Sequence, residues 1–171
     1  MNHFIDKIPE MVVDYVKSIT ELKKLNIKVV KPRKTKHGDF RERNGNYTIT
    51  INDTNNKYRF LMILIHEIAH FNVLKKKIKE KPHGHNWKYE FKKLAKPILN
   101  NKVFPVDLLI LLKTHMVNPK SSFSYDSDLV KELNKYDSNS DFTYLDEIKD
   151  GFKFKYENNK IYQKIKKRRK R

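Results

Sequence analysis

The segment Ile63-Leu64-Ile65-His66-Glu67-Ile68-Ala69-His70 sets two histidines and a carboxylate into a stretch that is otherwise apolar. On a helix, which turns about 100° per residue, His66 and His70 stand one turn apart on the same face, and their imidazoles can converge on one cation. Glu67 lies beside them without having to serve as a ligand. In this HExxH spacing the histidines bind zinc, and the glutamate acts as general base toward a water that the metal activates. Burying a carboxylate in such a helix is costly unless something compensates, and a zinc ion would do so. The ordinary alternative is a helix whose polar face carries two histidines and a salt-bridged glutamate.

A catalytic zinc needs a third protein ligand and an open fourth position. Lys81-Pro82-His83-Gly84-His85-Asn86-Trp87 offers two histidines in one short segment, and Pro82 and Gly84 make it a turn. On the residues alone, His83 and His85 compete for the ligand role. Asn86 is placed to cap a second helix from Trp87 to Leu94, with Trp87, Phe91 and Leu94 at apolar helical spacing.

These two histidine elements resemble those of the SprT-like metalloproteases, a zincin group that includes the bacterial SprT proteins and the DNA-dependent protease Spartan. The matching residues are Leu64 to His70 and then Pro82-His83-Gly84-His85-Asn86-Trp87-Lys88. The segments Lys31 to Arg41, Ile49 to Asn52, Phe104 to Leu108 and Asn118 to Ser122 also look like parts of bacterial relatives. The resemblance implies that His83 is the third ligand and His85 a variable position, so that His66, His70 and His83 hold one zinc ion beside Glu67. It further implies a zinc-dependent endopeptidase acting on proteins associated with or crosslinked to DNA. Many relatives carry a cysteine-bound zinc ribbon; this chain has no cysteine, so recognition that depends on a ribbon does not transfer. The competing expectation is a non-catalytic nucleic-acid-binding or stress-response adaptor, its zinc structural and closed by His85 or His37.

A chain of 171 residues suffices for one domain with an appendage. Absence of cysteine fits a reducing compartment. Asp6, Pro9, Glu10 and Asp14 stand where a signal peptide would need an apolar run, and the apolar stretches around Leu61 to Leu74 and Val106 to Leu112 are interrupted or too short to span a bilayer. The expectation is a soluble cytoplasmic protein with no membrane partner. A formal charge of +18 favours a polyanionic partner, DNA foremost; the rival explanation is a Lys-, Asn- and Ile-rich composition of the kind an AT-rich genome produces. Arg33, Lys34, Lys36, Arg41 and Arg43, around Phe40, could track a phosphate backbone, and so could Lys167, Arg168 and Arg169 in the basic tail. Relatives often continue past such a tail, so it is expected to belong to a truncated module.

The elements that must position these residues follow from periodicity. Pro9 opens a helix to about Leu25, with Val12, Val16, Ile19 and Leu22 on one stripe. Ile27 to Val30 and the alternating Tyr47 to Ile51 read as strands, joined by a long basic connection from Lys31 to Asn46. Tyr58 to Leu74, free of proline and glycine, is the metal helix. Further helices are expected over Phe104 to His115, with His115 near its C-terminal dipole, and over Ser127 to Tyr136, followed by the polar linker Asp137-Ser138-Asn139-Ser140-Asp141. Phe152, Phe154 and Tyr156 alternate with lysines and turn at Asn158-Asn159 into a second strand, a hairpin that must dock or belong to a larger barrel. The expected fold is α+β: a zincin-like domain over residues 1–100 with a small antiparallel sheet packed on the HExxH helix, a helical extension over 101–140 and a β-hairpin with a basic tail over 141–171.

Overall fold

The computed structural model describes residues 4–21, 25–137, 143–156 and 158–166. It is an α+β protein whose chain divides into two compact units, Met1–Ser138 and Asn139–Arg171. The first unit begins with two short 3-10 turns, Ile5–Lys7 and Glu10–Val12, and the helix α1, Val13–Thr20. This helix is shorter than the expected run from Pro9 to Leu25, because Leu25 already belongs to strand β1, Leu25–Val30, where it pairs with Tyr47.

Strand β2, Gly38–Arg43, and strand β3, Asn46–Asn52, complete a sheet in the order β1-β3-β2. β1 runs parallel to β3 and β2 antiparallel to it, so the sheet is mixed and the expectation of a purely antiparallel one is corrected. A parallel pair needs a connection long enough to carry the chain back, and the basic stretch after Lys31 supplies it while also contributing β2. That strand does not show in the hydrophobic pattern, since only Phe40 among its residues is large and apolar. Its real signature is Asn44-Gly45, both at positive φ (50° and 76°) in a tight hairpin turn.

Helix α2, Lys57–Lys75, crosses the sheet. It has no proline or glycine, and it is apolar almost all round because it is covered by β2 and β3 on one side and by α3, His85–Ala95, on another. Phe60, Leu61, Leu64, Ile65 and Ile68 are fully buried there with Ile49 and Ile51 of β3. Asn56 starts α2: its side-chain oxygen accepts from the Arg59 N–H at 2.9 Å, and its amide donates to the Leu133 carbonyl at 2.6 Å. Leu133 belongs to α5, Ser127–Asn134, which with α4, Val106–Val117, shares the same apolar core through Leu108, Leu112 and Leu129. α5 ends two residues before the expected Tyr136.

The second unit contains a hairpin of β4, Lys153–Lys155, and β5, Ile161–Gln163, with Phe154 stacked on Tyr162 at 6.1 Å. The linker residues 138–141 and the tail residues Lys167, Arg168 and Arg169 lie outside the described residues. Among the described residues no helix is long and apolar enough to cross a membrane.

Asn56 joins two elements with one buried side chain, so Asn56→Ala should remove a helix cap and leave the Leu133 carbonyl unsatisfied, together about 2–4 kcal/mol. Chemical denaturation measures it. Asn56→Asp retains the cap but not the amide donor, and is expected to be destabilised as well; wild-type stability in that variant would assign the whole effect to the cap.

Candidate metal centre

α2 presents His66 and His70 on one face, and the turn before α3 brings in His83. In that turn the Gly84 N–H donates to the Lys81 carbonyl at 3.0 Å, and His83 takes a left-handed backbone conformation, φ 63°, uncommon for a side chain with a Cβ. Glu80 clamps the arrangement. Its carboxylate accepts from the backbone N–H of Trp87 at 3.0 Å and of Asn86 at 3.2 Å, capping α3 from outside. The cap expected from Asn86 is therefore made by Glu80, and α3 starts one residue earlier, at His85, with Gly84 preceding it. A Cβ on residue 84 would fall 2.6 Å from a Glu80 carboxylate oxygen, so this close approach requires glycine.

The three Nε2 atoms lie 3.2 Å (His66 to His70), 3.1 Å (His66 to His83) and 3.0 Å (His70 to His83) apart. Their ring centroids are 5.0, 5.0 and 4.6 Å apart in the same order. The nitrogens are closer together than the rings, so the imidazoles splay outward from one focus. Such a triangle cannot be satisfied by mutual N–H···N bonds, which want a straight line between donor and acceptor. Tetrahedral ligands at roughly 2.0–2.1 Å from zinc stand about 3.3 Å from one another, so the three histidines fit a metal ion at that focus.

Trp87 supports the rings. Its indole stacks on His70 at 5.5 Å, meets His66 and His83 at 4.6 Å each, and donates from Nε1 to the His66 carbonyl at 3.3 Å. Burial, reinforced by the neighbouring histidines, pushes His66 down to about 2 and His70 down to about 4, and burial holds His83 below its ordinary range. All three are neutral near pH 7, with lone pairs available to a metal.

Glu67 is 7% exposed, at the floor of a cleft of about 750 Å³. The Phe40 N–H of β2 donates to its carboxylate. Gly38, also on β2, is the closest packing neighbour: a Cβ there would stand 2.5 Å from Glu67 Oε1 and 2.7 Å from Ile63 Cγ2. In the metal-free site, burial and then Asp39 push the Glu67 carboxyl up to about 8, with Arg33, Lys36 and the Phe40 N–H opposing. A divalent cation alongside would return it to the carboxylate form.

Among the described residues, the group able to hold a metal consists of His66, His70 and His83. His85 is exposed on α3 and His37 is exposed at the cleft rim; neither joins the group. His115 is buried in the last turn of α4, its Nδ1 3.3 Å from Asp126 Oδ2 and its Nε2 without a partner among the described residues.

The basic residues divide. Arg33 turns inward and donates to Asn52 Oδ1, Thr50 Oγ1 and the Thr50 carbonyl. Lys36 and Arg41 both pair with Asp39. Lys34 and Arg43 are exposed. Sequence reasoning missed the positioning roles of Gly38, Glu80 and Trp87. An acid three residues before His83 is the only trace the Glu80 clamp leaves in the chain.

The SprT-like family model matches residues 5–107, and the chain belongs to the SprT-like family. The matched span holds all three histidines, Glu67, Gly38 and Glu80. No curated protein and no solved structure matches the chain.

His83→Ala should lose metal affinity in competition with a chromophoric chelator, and His85→Ala should keep it; the reverse would move the third ligand. Glu80→Ala, which frees the turn, is expected to weaken affinity about tenfold. Because the histidines are neutral near pH 7 and Glu67 in the metal-free site is largely protonated, metal uptake should expel close to one proton, from Glu67. Calorimetry in buffers of different ionisation enthalpy reads that proton, and Glu67→Gln should abolish it.

Proposed function

We propose that this chain is a zinc-dependent endopeptidase with a zincin-like catalytic domain, acting on proteins associated with DNA. The observation that carries the reading is the buried Glu67 carboxylate held by β2 beside three converging histidines, at the floor of a cleft open to solvent. His66, His70 and His83 would hold the zinc. When bound, the metal would polarise a peptide carbonyl and make water a competent nucleophile near neutral pH. Glu67 takes a proton from the attacking water and returns it to the leaving amine. Gly38 and the Phe40 N–H fix the carboxylate for both transfers.

β2 is an edge strand. The Phe40 N–H goes to Glu67, so the outward-facing backbone of β2 borders the cleft, and Gly38, Asp39 and Phe40 line it. An extended peptide adding to this edge would lie across the metal.

The alternative of a structural zinc would close the site with a fourth protein ligand. The exposed placement of His37 and His85 favours an open position instead. The association with DNA is supported by the charge of +18 and by exposed Lys34 and Arg43. The hairpin adds exposed Phe152, Tyr156 and Tyr162 among lysines, a composition suited to stacking on bases.

Zinc-loaded protein should cleave a DNA-bound basic protein, more rapidly with single-stranded DNA, and Glu67→Gln should keep zinc while losing about 100-fold or more in kcat. Full activity in that variant would sink the assignment; zinc and DNA binding without cleavage under any condition would favour the adaptor. Gly38→Ala should keep zinc and lower kcat by up to ~100-fold through displacement of the base.

A further inference from the structure

A second cavity, of about 340 Å³, opens beside the cleft and shares His37, Ile63, Phe123 and Ser124 with it. Ile63 is one helical turn before Glu67 on α2, and Arg59, which also lines this cavity, is one turn further back. The cavity therefore runs along α2 away from the general base, within reach of a side chain one or two residues from a bond undergoing cleavage.

Arg59 is the distinctive group in it. Its side chain is 14% exposed, and its Nη2 donates to Asn134 Oδ1 at 2.6 Å and to Asp137 Oδ2 at 2.9 Å. Both bonds use the same nitrogen. Among the described residues Nε and Nη1 have no partner, and neither is sealed from solvent, the one buried unpaired side-chain atom being His115 Nε2. The free side of the guanidinium is thus a pair of parallel donors open to the cavity, a geometry that matches a carboxylate.

We propose that this cavity is a subsite for an acidic side chain of the substrate polypeptide, bound through Nε and Nη1 of Arg59. The inference rests on the endopeptidase reading and adds a substrate preference to it. Ile63, Phe123 and Val130 give the cavity apolar walls along which the methylenes of a glutamate can lie. The one carboxylate lining it, Asp137, is engaged with Arg59, so a lysine or arginine of the substrate would meet a guanidinium and no free acid. An aliphatic side chain would cover the guanidinium without satisfying it. Lys34, Lys36 and Lys120 line the adjoining cleft and favour approach of an acidic segment. Asp137 weakens the attraction and thereby sets its strength.

The test uses the zinc-loaded full chain and matched peptides in which Glu, Gln, Lys or Leu is walked through the positions flanking the cleaved bond. At one position Glu should exceed Gln about tenfold in kcat/KM. Arg59→Met should abolish that ratio while the Gln peptide is still cut, and Asp137→Asn should increase it. Retained zinc stoichiometry and Gln-peptide cleavage separate loss of preference from loss of fold, because Arg59 also ties α2 to α5. Binding of the same peptides to Glu67→Gln, with and without Arg59→Met, is read by fluorescence anisotropy. Glu-selective binding that needs Arg59, with no cleavage of any peptide by the wild type, would keep the subsite and remove the endopeptidase reading. Cleavage with no Glu preference at any position, a preference unchanged in Arg59→Met, or neither cleavage nor Glu-selective binding would overturn the subsite.

Discussion

Three imidazole nitrogens within 3.2 Å of one another, next to a carboxylate that is 7% exposed, form a cluster an apolar interior does not tolerate unaided. Each group has lost its water, and none can be satisfied by the others. The surrounding structure holds them together all the same. Trp87 packs under the rings, Glu80 clamps the turn that delivers His83, and β2 approaches Glu67 so closely that Gly38 has no room for a methyl group. Stability is given up locally in favour of a fixed focus, and the apolar layer between α2, the sheet and α3 supplies what the focus costs. The chemistry follows from this constraint: neutral imidazoles, a base held by a backbone N–H, and a cleft that leaves one side of the focus open.

What was legible in the chain was whatever depends on spacing along one element. The turn-to-turn relation of His66, Glu67 and His70, the full-length helix around them and the alternation of β3 are all local, and each is read directly from residue order. The choice of His83 over His85 was not. On the residues alone the two are equivalent, and what separates them is a left-handed backbone at His83 enforced by Glu80 and Gly84, which turns one imidazole inward and leaves the next on the surface of α3. β2 escaped for a different reason. Its residues are polar because one side of the strand faces solvent and its edge faces the cleft, so the alternation that marks a half-buried strand is absent. The parallel pairing of β1 with β3 is a matter of how the connection returns, which no short-range pattern records. Arg33 shows the same limit: in a run of basic residues nothing tells the one whose guanidinium bonds inward to Asn52 and Thr50 from those that remain in solvent.

Charge is distributed with a purpose that net charge alone conceals. Around the cleft the acids are committed: Asp39 to Lys36 and Arg41, Glu80 to the start of α3, Asp137 to Arg59. Several lysines on the same walls have no such commitment, and the field at the mouth is therefore more positive than a count of lining residues suggests. Polypeptide and nucleic acid would both be drawn to this side of the molecule, and the edge of β2 and the free face of Arg59 decide where an extended chain comes to rest.

The left-handed turn at His83 separates the endurance of the fold from the endurance of the metal site. Two ligands ride on the most deeply buried helix of the protein, but the third is carried by a few residues whose geometry depends on one partly exposed glutamate. Opening that turn breaks no contact of the apolar core, so a bound ion can be released by a local fluctuation far cheaper than unfolding. Metal residence time is then a property of the Glu80 to Gly84 segment, and a protein that resists denaturant well can still exchange its metal quickly.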